Sequence, residues 1–146
     1  MNNYNDQQKN IIKDIEELNE CVKAVQKQEF YKLCQTVFDA TPELRNISWI
    51  QMSPWYDYEG YDAFRILYDI SFSKNDNMIN VPHVFDNDSW KIDAVEKNEA
   101  IKFFENYINE NLDFIRWLYG DGYFVCFFLA DNYEIKEIVL PYDLKK

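Results

Sequence analysis

Tyr123-Phe124-Val125-Cys126-Phe127-Phe128-Leu129-Ala130 is apolar at every position. Tyr123, Val125, Phe127 and Leu129 fall on one face of a strand, and Phe124, Cys126, Phe128 and Ala130 on the other. Such a strand needs cover on both sides. It is therefore expected over 122–130 as the most buried strand of a sheet. Asp131-Asn132 reads as a two-residue turn of the kind that favours positive φ. Tyr133–Leu140 returns as a more polar strand over 133–140, and Pro141 closes it at an edge.

Upstream, Gly120 and Gly122 sit where C-cap glycines end a helix. The apolar stripe Ala100, Phe103, Phe104, Tyr107, Ile108, Leu112, Ile115 and Leu118 predicts one helix over about 94–119. Two earlier strands are expected at 46–52 and 62–72. In the second, Phe64, Ile66, Tyr68, Ile70 and Phe72 alternate as a buried face, with Ala63, Arg65, Leu67, Asp69 and Ser71 on a mostly solvated one. Residues 73–89 read as a long loop, with Met78-Ile79-Asn80-Val81 a candidate for one brief edge strand. A first helix is expected over 6–39, ended by Thr41-Pro42 because the residue before proline is pushed from the α region. Its stripe is Ile11, Ile15, Leu18, Val22 and Val25, broken by Glu29 and resumed on a rotated face by Phe30, Leu33 and Val37. Two heptads fall short of a coiled-coil signature. Packing on the sheet is one expectation for this helix. A homodimer built on Ile11, Ile15, Leu18, Val22 and Val25 is the other, since an uncovered stripe of this length exceeds what monomers expose. The order α-ββ-α-ββ, without repeat or linker, predicts a single α+β domain over 1–146 with a mostly antiparallel sheet and two long helices.

Composition narrows the function classes. Among 146 residues, 15 Lys and Arg face 26 Asp and Glu, a formal charge of −11, which argues against direct nucleic-acid or anionic-membrane binding. No run reaches the ~20 apolar residues of a membrane span, and the first residues lack a secretory pattern. Cys21, Cys34 and Cys126 are odd in number and without C-x-x-C spacing, as in reduced structural cysteines. A cytoplasmic location is the expectation.

Catalytic chemistry is not legible. The single histidine, His83, lies in Val81-Pro82-His83-Val84 with no nucleophile placed beside it. Asp86-Asn87-Asp88 lacks the glycine and distant glutamate of an EF-hand loop. No phosphate-binding glycine loop occurs, and Gly120-Asp121-Gly122 reads as a turn. No catalytic, cofactor-binding or metal-binding residue is therefore expected, and no cofactor. The feature above background is Trp55-Tyr56-Asp57-Tyr58-Glu59-Gly60-Tyr61-Asp62. Tyr and Trp bury large areas at small rotamer cost and carry polar tips, as interfaces require. The interleaved acids favour a basic partner. Trp55, Tyr56, Asp57, Tyr58, Glu59 and Tyr61 are the candidate partner-binding residues. The competing reading has these rings folding back to cap the core.

Residues 42–66, from Pro42 through Asn46-Ile47-Ser48-Trp49-Ile50-Gln51-Met52-Ser53-Pro54-Trp55-Tyr56 to Ile66, resemble a segment of small proteins of T4-like and related tailed phages. Trp49, Gln51, Ser53, Pro54, Trp55 and Tyr56 carry the likeness. The run from Tyr119-Gly120-Asp121 to Pro141-Tyr142-Asp143 is similar to that family's closing hairpin. Together these cover about a third of the chain. The chain departs from the family in lacking a Cys-containing stretch near Ala63 and in its longer first helix. The resemblance implies a phage accessory protein and no catalytic residue. The expected function is non-enzymatic binding that modulates or inhibits a host protein, a defence protein among the candidates. The alternatives are a bacterial immunity or antitoxin-like protein, and a small-ligand binder or small enzyme with an aromatic pocket. Nucleic-acid mimicry by the acidic surface is a special case of the first. It is weakened by the even spread of charge, −5 over residues 1–73 and −6 over 74–146.

Overall fold

A computed structural model describes residues 3–53, 64–74 and 94–142. The chain divides into two compact units, Met1–Leu33 and Cys34–Lys146. The first is helical, formed by most of α1 (Asn3–Ala40). The second is α+β. It holds β1 (Asn46–Met52), β2 (Arg65–Ser73), α2 (Glu99–Glu110), α3 (Leu112–Tyr119), β3 (Tyr123–Leu129) and β4 (Ile135–Pro141).

The four strands make one antiparallel sheet in the order β2-β1-β3-β4. β1 and β3 are the interior strands, which explains the uninterrupted apolar run of β3. β1 is buried at all seven positions, whereas β3 opens slightly at both ends. The expectation that 122–130 would be the most buried strand is corrected in favour of β1. Both strands lie inside the sheet, but β1 also places Asn46, Ser48 and Gln51 out of water. Those polar letters disguised its depth in the sequence.

One sheet face meets the helices. The Trp49 ring stands 6.1 Å from Phe104 of α2, 6.3 Å from Tyr119 of α3 and 5.9 Å from Phe127 of β3. Phe72 meets Phe104 edge-on at 5.9 Å. Aromatic pairs at this separation add to the area they bury. On the other face Ile50, Met52, Leu67, Phe124 and Cys126 form a second cluster, with Phe128, Ile138 and Tyr142 packed on it.

The expected single helix over 94–119 is two helices. Asn98 starts the first, its Oδ1 accepting from the Ile101 amide at 2.9 Å. Its Nδ2 donates to Thr41 Oγ1 at 2.7 Å and so ties this start to the end of α1. Asn111, at φ −126° and ψ 39°, ends the first helix and begins the second. Within the stripe, Phe103 is exposed and Ile101 is buried instead. On β2 the face expected to be mostly solvated is mixed, with Arg65 and Asp69 exposed. A bulge lets Ser48 face Ser71 while Ile50 faces Leu67. Leu67 and Ser71, on that same face, are both buried.

The turn after β3 is corrected as well. Positive φ falls on Tyr133 (64°), not on Asp131 or Asn132. Tyr133 N donates to Ala130 O at 2.9 Å, and Asn132 Oδ1 accepts from Glu134 N at 3.1 Å. This three-residue loop with a left-handed third residue is the next commonest hairpin solution.

Candidate functional site

Among the described residues, several polar side chains meet at the corner where α3 runs into β3. Gly120 ends α3 at φ 93° and ψ 178°, a backbone state open only to glycine. Its N–H donates to Arg116 O at 2.7 Å. Gln51, fully buried on β1, reaches this end. Its Nε2 donates to Gly120 O at 2.6 Å and to Ile115 O at 3.3 Å, while its Oε1 accepts from Trp49 Nε1 at 2.8 Å. Helix termini leave carbonyls without intrahelical partners, and the Gln51 amide satisfies two carbonyls at this one from the neighbouring strand.

The next residue, Asp121, turns outward. Its Oδ1 accepts from the Ser53 amide at 2.7 Å, and its Oδ2 accepts from Ser53 Oγ at 2.7 Å and from Arg116 at 3.1 Å. The Arg116 guanidinium also lies over the Phe64 ring, 5.5 Å from its centroid, within cation–π range. Ser53 and Phe64 flank residues 54–63 in the sequence. Both ends of the aromatic and acidic segment are thus fastened to the same corner, beyond the β1–β2 pair Met52 and Arg65. The outer side of α3 adds an aromatic pair, Phe114 and Trp117 at 6.1 Å, with Trp117 exposed.

Trp55, Tyr56, Asp57, Tyr58, Glu59 and Tyr61 themselves lie outside the described residues, as do His83 and Asp86-Asn87-Asp88. The second candidate set, Ile11, Ile15, Leu18, Val22 and Val25, is on α1 and stands 43–64% exposed. Cys21 is exposed, and Cys34 and Cys126 are buried. Burial pushes both buried thiols well up, and the Glu137 charge adds to the effect at Cys34. Neither is poised as a nucleophile, since the thiolate is the reactive form. Among the described residues no group of three or more His, Cys, Asp or Glu could hold a metal ion. No helix there is long and apolar enough to cross a membrane.

Sequence reasoning missed Ser53, Arg116 and Asp121 as a unit. The available signal was Gly-Asp-Gly, where a carboxylate between two glycines that end a helix has room to face a neighbouring strand. Compared with family models, curated proteins and solved structures, the chain matches none.

Proposed function

We propose that the chain is a non-enzymatic binding protein that grips a basic surface of another protein through its aromatic and acidic segment, Trp55 to Tyr61. The observation that carries this reading is the double fastening of the segment's ends, Ser53 to Asp121 and Phe64 to Arg116. Fixing the ends of a loop removes part of the ordering cost that association must overcome. A ten-residue stretch with four large rings gains most from such restraint. The likeness of residues 42–66 to small tailed-phage proteins supports a host protein as the partner, bound so as to modulate it. The acids then set the approach and the rings the residence time.

The test begins with capture from bacterial lysate and continues with the purified partner in a titration. Tyr58→Ala with Tyr61→Ala should weaken binding by about 1–4 kcal/mol while leaving the melting temperature in place. Asp57→Lys with Glu59→Lys should mainly slow association and flatten its salt dependence. Unchanged capture with a large loss of melting temperature in the Tyr variant would assign the rings to the core and end this proposal.

A further inference from the structure

α1 carries an apolar seam that the structure leaves open, and its chemistry matches a second copy of itself. Ile11, Ile15, Leu18, Val22 and Val25 recur at alternating spacings of four and three, with side chains 43–64% exposed. Placed on a heptad, Ile15 and Val22 are a positions, and Ile11, Leu18 and Val25 are d positions. The flanking e and g positions from 12 to 28 are Ile12, Asn19, Gln26, Asp14, Cys21 and Gln28, of which only Asp14 is charged. The other charges between residues 9 and 27 fall on b, c and f: Lys9, Lys13, Glu16, Glu17, Glu20, Lys23 and Lys27.

That distribution discriminates among occupants. A basic partner helix would be met by acids at e and g, where such pairs choose partners. With Asp14 the one charge among them, these positions offer little attraction to a basic helix and little repulsion between two copies. We infer that α1 pairs with α1 of a second copy, in parallel and in register, along the two-heptad seam Ile11–Val25, which the exposure of its side chains rather than the length of the pattern marks out.

In-register parallel pairing sets every seam residue against its own copy and gives five consecutive apolar layers. Antiparallel pairing matches a with d positions, and the best such registers contain four. β-branched residues at a with leucine at the central d position favour two strands, while β-branched Ile11 and Val25 at the outer d positions pull towards more. Gln8 bounds the seam at one end. At the other, Glu29 is held by Lys32 at 3.0 Å on its own helix, and the seam stops there. This inference stands apart from the proposal for residues 55–61 and uses none of them.

Sedimentation of the intact chain from about 1 μM to 1 mM should show conversion from 17.7 kDa to twice that mass. Leu18→Glu places a charge in the central layer and should raise the dissociation constant more than about 100-fold. Leu18 is exposed in the single chain, so the sheet unit should keep its unfolding transition. In a Cys21→Ser background, Leu18→Cys should oxidise readily to a covalent dimer, because equivalent d positions meet across a parallel pair. Glu20→Cys, at an outward f position, should not. A strict monomer across the range, a threefold mass, a dimer indifferent to Leu18→Glu, or equal cross-linking at 18 and 20 would each overturn the inference.

Discussion

Gln51 shows how a single buried side chain can join elements that are distant in sequence. It binds Trp49 on its own strand and the carbonyls of Ile115 and Gly120 at the end of α3. Gln51→Leu conserves much of the volume and removes all three bonds. Buried groups deprived of a partner cost about 1–3 kcal/mol each, so chemical denaturation should report a loss of roughly 2–5 kcal/mol. The two buried thiols make a different residue-level statement. Cys34 and Cys126 have raised pKa values because burial disfavours the thiolate. In the unfolded chain a thiol ionises near ~8.5. Below that pH both states are protonated and the thiols add no pH dependence. Above it the unfolded state loses protons that the folded state keeps, so stability falls as pH rises. Each cysteine contributes about 1.4 kcal/mol per pH unit to that slope until its folded pKa is reached. Cys126→Ala should therefore show a shallower alkaline decline than the parent chain, whatever its stability at neutral pH. Iodoacetamide should label Cys21 quickly, and Cys34 and Cys126 only on opening.

At the scale of elements, what could be read in the sequence followed from the strength of each local pattern. The run at 123–130 is too apolar for anything but an interior position, whereas Asn46, Ser48 and Gln51 hid the interior place of 46–52; both strands appear within a residue of expectation. The break at Asn111 was hidden because the apolar stripe continues across it, from Ile108 to Ile115, while the backbone does not. The solvated face assigned to 62–72 holds at Arg65 and Asp69 and fails at Leu67 and Ser71 for a related reason. Alternation reports which residues share a face, but not how much of that face is covered, and here the cover reaches Leu67 and Ser71. The corner of Ser53, Arg116 and Asp121 was unreadable because its members come from two segments more than 60 residues apart. The hairpin turn was mistaken in register alone. Asp131-Asn132 has the composition of a two-residue turn, yet the left-handed residue is Tyr133. A side chain in that state costs about 1–2 kcal/mol, and the Tyr133 side chain is exposed. Tyr133→Gly relieves the strain at the expense of unfolded-state entropy of about 0.5–1 kcal/mol. The net expectation is a gain of up to ~1 kcal/mol. A melting temperature unchanged or lowered by Tyr133→Gly would show that the tyrosine makes compensating contacts.

The charge of the whole molecule gives its two proposed associations opposite responses to salt. Residues 1–33 hold five bases and six acids, and residues 34–146 hold ten bases and twenty acids. Nearly all of the net −11 therefore resides in the sheet unit. Pairing two α1 helices joins two such acidic units in one complex. The seam itself is apolar with almost uncharged flanks, so the main electrostatic contribution to dimerisation is repulsion between like units. Binding of a basic protein by the same acidic unit is favoured by charge. Raising monovalent salt from about 0.1 M to 1 M shortens the Debye length from ~10 Å to ~3 Å. The dimer dissociation constant should then stay constant or fall, while the affinity for the basic partner should drop by roughly tenfold or more, chiefly through slower association. Sedimentation and partner titration on one preparation, at both ionic strengths, read the two signs side by side. If salt weakened the dimer, ion pairs rather than the Ile11–Val25 seam would hold it, and the heptad assignment would fail. If salt left partner binding untouched, the rings between Trp55 and Tyr61 could still supply affinity. The interleaved acids would then have no part in recognition, and the preference for a basic surface would be withdrawn.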